Sequence, residues 1–427
     1  MKNGVHNVKS KRWCGGSLGF IDWIGDFGTN RRVRKHNTQS RGLEKYQSIT
    51  TDILFPAESY TANIIISGGD SSERLRFSKR IIQNNFSQGR AMIMLHLGNR
   101  GLENIVTNNN FGIVANKNNK HFDAFTSFEL QEICQTVLDT CKTKYDIKPA
   151  GRYILQIVYE LLACKDMRPY FSNFADCPYH QLAERINNRF ANNLITKNVA
   201  DNLHSLLMMG QTECAKIDSF FYDMSSQIRH IATTNANVVG GSSILSAIKK
   251  GQILCVDLNS SANVLLVELI VNSLTIAMNR GYDFSFFLDE VSIANNELLK
   301  NMLCQKSNHN NIICSKDLYA LLNGKDDVFA TIVGEAEKTI LLSHGSHLSC
   351  EKWSKYIGEY DKIDVSHNRN SGWSITNKFL GYNTNQGQTM TDKREYKIKP
   401  EQINRLTQGE VFVYDNRTGS LIQTYVA

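Results

Sequence analysis

Unbroken apolar runs recur along the chain at Asn63–Ser67, Ala91–Leu97, Gln252–Leu258, Phe284–Glu290, Asn311–Ser315 and Lys338–Ser343. They are too short for buried helices and predict strands covered on both faces. Between them the apolar spacing becomes helical, first as Leu75, Phe77, Ile81, Ile82 and Phe86, closed by Gly89, and later over 264–278, 295–303, 316–322 and 351–357. Strand, Gly/Ser turn, helix, strand is a βαβ unit, and its repetition predicts a mainly parallel sheet flanked by helices. From 127 to 232 the strand signal disappears, and long amphipathic patterns over 128–145, 150–164, 180–190, 200–209 and 217–231 predict an inserted helical domain. Pro400–Leu406 reads as a short helix, followed by a hairpin of Glu410–Tyr414 and Leu421–Tyr425 around Asn416–Gly419. Residues 1–60 carry little periodicity before the first strand, and 367–392, rich in Asn, Ser, Gly and Thr, read as a loop.

Composition adds little to this picture: 41% apolar, 9% aromatic and 21% charged over 427 residues is globular, and excludes disordered, collagen-like and disulfide-framework classes. Charge adds more. The net +7 resides entirely in the first 50 residues, where ten Lys/Arg face only Asp22, Asp26 and Glu44, while the rest balances at 38 against 38. Within that arm Arg31, Arg32, Arg34 and Lys35 form the densest basic run and the candidate contact to a polyanion such as nucleic acid. Trp13, Trp23 and Tyr46 interleave with the arm's cations, as base-stacking groups or as anchors of the arm to the body. Ten cysteines without a CxxC pair, several inside apolar runs, point to a reduced, intracellular setting. No run reaches the roughly 18–20 apolar residues of a membrane span, and the start lacks the apolar stretch of a signal peptide. The expected location is cytoplasmic, with peripheral attachment at the inner face of the membrane.

Two junctions carry candidate chemistry. After the first strand comes Gly68-Gly69-Asp70-Ser71-Ser72, where a phosphate loop GxxxxGK[ST] belongs. Gly68 takes the first fixed place, but Glu73, Arg74 and Leu75 take the next three, so the lysine and the metal-binding hydroxyl are missing. On spacing alone a plain strand-to-helix turn is equally open. The run Phe284–Glu290 ends in Asp289-Glu290, the pair a Walker B strand needs, one acid for Mg²⁺ and the other for the attacking water. The next strand ends in Ser315-Lys316, where a polar γ-phosphate sensor would stand. Cys177/His180 and His344/His347 offer no matching second ligand pair for zinc, and Gly240-Gly-Ser-Ser243 lacks a hydrolase elbow.

The ordered series resembles the coupling-protein ATPases of conjugation and type IV secretion (TraG/TraD type), relatives of the FtsK/HerA DNA-pumping motors. It consists of the strand into Gly68-Gly69, the strand 91–97 with Gly98-Asn99-Arg100-Gly101, the helical insertion, Gly251–Leu258, Phe287–Glu290, Lys316–Leu321 and 397–414. The resemblance spans about residues 50–427 and implies an α/β fold: a RecA-like P-loop ATPase core at 51–120 and 235–427, an all-α substrate-recognition domain at 121–234, and a basic N-terminal arm at 1–50. It implies ATP and Mg²⁺ as cofactors, with Gly68, Gly69, Asp70, Ser71, Ser72 and Arg74 around phosphate, Asp289 on the metal, Glu290 activating water and Lys316 sensing the γ-phosphate. Implied partners are DNA or a relaxosome-type nucleoprotein, membrane-embedded secretion components reached through another protein, and copies of the chain itself in a hexamer. Two departures stand out: the family's N-terminal transmembrane helices are missing, and the phosphate loop is degenerate. The functional expectation is therefore an ATP-driven DNA or nucleoprotein transfer component or, alternatively, a pseudo-ATPase acting as structural or adaptor subunit for an intact motor.

Overall fold

The computed structural model describes residues 19–56, 61–142, 144–232, 241–293, 296–304, 309–376 and 379–426, with backbone alone for 19–28, 367–376 and 379–388. Trp13 and the cations Lys2, Lys9, Lys11 and Arg12 lie outside the described residues, as does the side chain of Trp23. The strands are β1 (Leu43–Lys45), β2 (Ile64–Ser67), β3 (Ala91–His96), β4 (Gly112–Ala115), β5 (Ile253–Asp257), β6 (Phe284–Asp289), β7 (Asn310–Ser315), β8 (Lys338–Leu341), β9 (Glu359–Thr376), β10 (Phe379–Tyr396), β11 (Glu410–Asp415) and β12 (Ser420–Tyr425). The chain divides into two compact units, one formed by 49–342 with 426–427 and the other by 1–48 with 343–425.

The larger unit is built on a sheet ordered β8-β2-β7-β6-β3-β5-β4 in which every pairing is parallel. All residues of β2, β3, β5, β6 and β7 are buried, as their unbroken apolar runs require of strands covered on both faces. Helices Ser71–Ser87, Arg100–Asn108, Val264–Asn279, Glu297–Cys304 and Asp326–Glu335 follow β2, β3, β5, β6 and β7 respectively. Because the strands are parallel, their carboxyl ends share one edge. Register puts Ser67 opposite Ser315, Asp289 opposite both Cys314 and His96, and His96 opposite Asp257. Residues far apart in sequence thus converge on one rim.

Between β4 and β5 the described residues are helical, from Leu130–Cys141 to Ile244–Lys249. Their core centres on Phe221, whose ring lies 5.1–6.3 Å from those of Phe125, Phe171, Phe174, Tyr179 and Phe220. None of the described helices is long and apolar enough to cross a membrane.

The smaller unit departs from the sequence reading twice. Residues 19–41, read as irregular, form a 23-residue helix, Gly19–Arg41. It has no apolar stripe to reveal it, and its described anchors are polar. Asn37 donates to Ile363 O and accepts from Ile363 N–H, both at 2.9 Å, while Arg41 donates to Lys397 O and Gln402 Oε1. Residues 367–392 read as a loop; of these, 367–376 and 379–392 belong to the antiparallel ribbon β9–β10, and 377–378 lie outside the described residues. A two-stranded ladder is held by backbone hydrogen bonds, so Asn, Ser and Thr serve in it without the alternation that flags a half-buried strand. The third sheet element pairs β11 with β12 antiparallel, as expected, and adds β1 parallel to β12, which the sequence did not reveal.

Candidate functional site

β2 leads into a tight turn. Gly68 and Gly69 have φ of +101° and +62°, and Asp70 caps the helix Ser71–Ser87. Ser71 and Ser72, two of the four residues a phosphate loop would wrap around its ligand, are already in the first helical turn. Asp70 Oδ1 accepts from Glu73 N–H at 2.8 Å and from Ser72 Oγ at 2.7 Å, and Glu73 Oε2 accepts from Asp70 N–H at 3.1 Å, closing a capping box. The Ser72 hydroxyl and the Glu73 amide together hold the Asp70 carboxyl below the usual carboxylate range. Two carboxylates therefore sit on the positive end of this helix, the place an anionic ligand would occupy. Gly68 N–H is also engaged, donating to Ser315 O at 2.9 Å. A Cβ on Gly69 would lie 2.6 Å from Glu73 Oε2 and 3.0 Å from Leu342 Cδ1, so the turn closes tightly on its own side chains.

Arg74 lies at the centre of the rim. Its guanidinium Nη1 donates to Gly68 O at 3.1 Å and Gly69 O at 2.9 Å, and Nη2 to Glu290 Oε1 at 2.7 Å. The same Glu290 oxygen accepts the backbone N–H of Lys316 at 2.7 Å, whereas the Lys316 side chain is exposed. Arg74 thus ties the end of β2 to the residues following β6 and β7. Its side chain is 6% exposed against 32% for Glu290. Glu290 has φ of +58°, a left-handed conformation that a non-glycine residue keeps only when its surroundings over-determine it.

Asp289 is buried and accepts from Asn99 Nδ2 at 2.7 Å. Burial pushes its carboxyl up, opposed by that hydrogen bond and by the Arg74 charge. The sequence placed the turn Gly98–Gly101 but gave no role to Asn99, which caps the helix Arg100–Asn108 and bridges to Asp289. It also missed His96, fully buried at the end of β3, whose Nδ1 accepts from Asn99 N–H at 3.0 Å. The neutral ring therefore carries its proton on Nε2, 3.7 Å from Glu103 Oε1. Burial depresses the imidazole to about 4, with nearby Asp257 opposing the shift. An apolar run ending in a single histidine carries no signal that could have found it.

A triphosphate with Mg²⁺ requires free backbone N–H groups, an uncommitted cation and an acid open to metal. Here the amides of Gly68 and Asp70 are bonded, Arg74 is committed to Glu290 and two carbonyls, and Asp289 is held by Asn99. As folded, these residues do not fit the nucleotide that the Walker-type reading implies. The structure places Gly68, Gly69, Asp70, Ser71, Ser72, Arg74, Asp289, Glu290 and Lys316 at the carboxyl ends of β2, β6 and β7, on this rim. Arg31, Arg32, Arg34 and Lys35 belong to the helix Gly19–Arg41 of the smaller unit, where all four are exposed and without an ion-pair partner among the described residues.

The parallel sheet flanked by helices, with the glycine turn and the Asp-Glu pair on one carboxyl rim, is a RecA-like P-loop ATPase architecture. Among solved structures the fold is that of the bacterial conjugative coupling protein TrwB. The unbound monoclinic form of TrwBΔN70 is 14% identical, covers 89% of this chain and 88% of that one, and superposes with a TM-score of 0.52. TrwB with the GTP analogue GDPNP is 13% identical over 89% of both chains, TM-score 0.52, and the trigonal form with sulphate 12% identical over 99% and 95%, TM-score 0.51. No protein-family model matches the sequence, and no curated protein sequence does.

Proposed function

We propose that this chain is a coupling-protein-like component of a conjugative or type IV secretion system that handles DNA or a nucleoprotein without an ATP cycle of its own. It would serve as a structural or adaptor subunit beside an intact motor. The coupling-protein part of the reading rests on the shared fold, since TrwB is a conjugative coupling protein whose structures include complexes with GDPNP and ADPNP. The adaptor part rests on one observation: the Arg74 guanidinium, bonded to Gly68, Gly69 and Glu290, already fills the cation role at the rim from within the chain. In this reading the helical segment 121–234 recognises the nucleoprotein, Arg31, Arg32, Arg34 and Lys35 contact its phosphates, and copies of the chain assemble with one another as a hexamer. Contact with the membrane-embedded secretion components passes through another protein.

The ATP-driven alternative retains support from Asp289 and Glu290 on the rim and requires Arg74 to release Glu290. The two are separated by equilibrium binding of a fluorescent ATP analogue with Mg²⁺ and by DNA-stimulated hydrolysis, each compared with Glu290→Gln. The adaptor reading expects no saturable binding at millimolar nucleotide and no hydrolysis. Hydrolysis that Glu290→Gln abolishes would establish the motor instead.

A further inference from the structure

We propose that His230 and Asp257 form a mechanical relay that ties the helical insertion to the Arg74–Glu290 pair, so that displacing the insertion opens the rim. The proposal rests on the reading of segment 121–234 as the recognising part and supplies the regulation which that reading lacks.

The insertion reaches the carboxyl edge of the sheet through the end of its helix Cys214–Ile228. Gln227 Oε1 accepts from Leu266 N–H at 3.0 Å, in the first turn of the helix Val264–Asn279. His230 Nε2 lies 2.6 Å from Asp257 O and must donate, because a carbonyl only accepts. Further contacts of the insertion with helix Val264–Asn279 and the residue after it run from Asn272 to Thr140 and from Arg280 to Glu132, toward the opposite edge of the sheet. His230 is therefore placed where movement of the insertion is felt at the rim.

Asp257 faces both ways. While its main-chain oxygen holds the insertion, its Oδ1 accepts from Gly98 N–H at 2.9 Å and from Asn259 N–H at 2.8 Å. Gly98 opens the turn from which Asn99 Nδ2 donates to Asp289 Oδ2 at 2.7 Å, and Asp289 is followed by Glu290, the acceptor of Arg74. Each link from His230 to Arg74 is thus a hydrogen bond of 2.6–2.9 Å or a single peptide step. The last acid makes this chain a switch and not a brace. Glu290 holds φ of +58°, a conformation that persists only while its neighbours enforce it, and Asn99 enforces it by fixing Asp289. Once that bond slackens, Glu290 relaxes to an ordinary backbone conformation and its carboxylate leaves Arg74. An occupant of the insertion that draws helix Cys214–Ile228 away from Asp257 therefore opens the rim.

Hydrogen exchange of the full chain, without nucleotide or nucleoprotein, tests this. The reporters are the amides of Lys316, bonded to Glu290 Oε1, and of Glu290, bonded to Cys314 O. His230→Ala should speed exchange at both by about fivefold or more, the lower end for coupled sites. His230→Gln, whose Nε2 can donate to the same carbonyl, should restore the wild-type rates. Tyr145→Phe, which breaks a bond to Asp223 on the same helix, should leave both amides unchanged. In an Asp257→Ala background the link is already cut, so His230→Ala should add about twofold at most. If His230→Ala speeds exchange throughout the chain, His230→Phe, which keeps a ring and removes the donor, takes its place. Faster exchange around Leu258–Leu266 with wild-type rates at Lys316 and Glu290 overturns the relay, as does an equal effect of Tyr145→Phe. Loss of the relay leaves the adaptor reading standing, and saturable ATP binding by wild type sinks that reading without touching the relay.

Discussion

Arg74→Ala tests whether the rim is a structural latch or a resting catalytic site. The substitution removes one charged hydrogen bond to Glu290 and two to the carbonyls of Gly68 and Gly69. Breaking a buried ion pair from one side costs about 3–5 kcal/mol. Glu290 is a third exposed and keeps the Lys316 amide, so water relieves part of that, and about 2–4 kcal/mol remains. For a unit of this size that corresponds to a fall in Tm of about 5–10 °C. Arg74→Lys restores the charge but cannot span three acceptors in one plane, and should recover about half. Glu290→Gln keeps the shape and the Lys316 contact while losing the charge, and should cost about 1–2 kcal/mol. Combined with Arg74→Ala it should cost less than the sum, since the two residues lose the same interaction. Urea and thermal unfolding, with and without Mg-ATP, measure all four variants. The reasoning is refuted if Arg74→Ala and Glu290→Gln each unfold within about 0.5 kcal/mol of wild type, the range of inert surface changes, or if Mg-ATP stabilises wild type.

Three further outcomes follow from the same rim. Gly69→Ala must adopt φ near +62° and bring a methyl against Glu73 Oε2, so it should lower stability by about 2 kcal/mol in urea unfolding, whereas Gly42→Ala, with open space, should cost only the φ penalty of about 1 kcal/mol. Asp289→Asn should raise stability at pH 7: burial lifts the folded carboxyl, so its contribution is complete below the unfolded value near ~3.9 and is lost as pH rises through the higher folded value. The gain over wild type should vanish at acid pH, which a series of urea midpoints against pH will show. His96 works in the opposite direction. With the folded imidazole near 4 and the unfolded one at 6.5, the unfolded chain binds the extra proton, and about 3 kcal/mol is lost as pH falls through that window. His96→Asn should flatten the same profile between these limits.

How much of this was legible depends on where the information resides. The buried strands announced themselves because a parallel sheet covered on both faces needs unbroken apolar runs, and the Asp289-Glu290 and Gly68-Gly69 junctions were found because each follows such a run. The helix Gly19–Arg41 and the ribbon were not, because both are held by polar contacts such as Asn37 to Ile363, which leave no period in the sequence. Arg74 was marked only as a residue replacing an expected lysine. That it reaches Glu290, 216 positions away, depends on β7 lying between β2 and β6, a neighbour relation no local pattern contains. His96 and Asn99 were invisible as a pair for the same reason: Asn99 matters through Asp289, 190 positions on.

The replacements at the rim are consistent with one another. A working phosphate loop is electrostatically incomplete, with amides and a lysine lacking a counter-anion until nucleotide arrives. In this chain the amides of Gly68, Asp70 and Glu73 and the Arg74 guanidinium have internal partners: Ser315 O accepts from Gly68, Glu73 and Asp70 accept from each other's amides, and Glu290 answers the buried cation of the turn. The left-handed backbone of Glu290 is the strained feature that aims its carboxylate there. Restoring single motif residues would therefore not restore the site. Arg74→Lys with Leu75→Ser supplies the missing cation and hydroxyl, yet leaves Ser71 and Ser72 in the helix and Glu73 across the turn. That double variant should still fail to bind a fluorescent ATP analogue, and should bind it only once Glu73 is also changed to Gly, freeing both the loop and the amide of Asp70. Binding by the double variant alone would mean that the missing lysine, and not the closed turn, is what keeps nucleotide out.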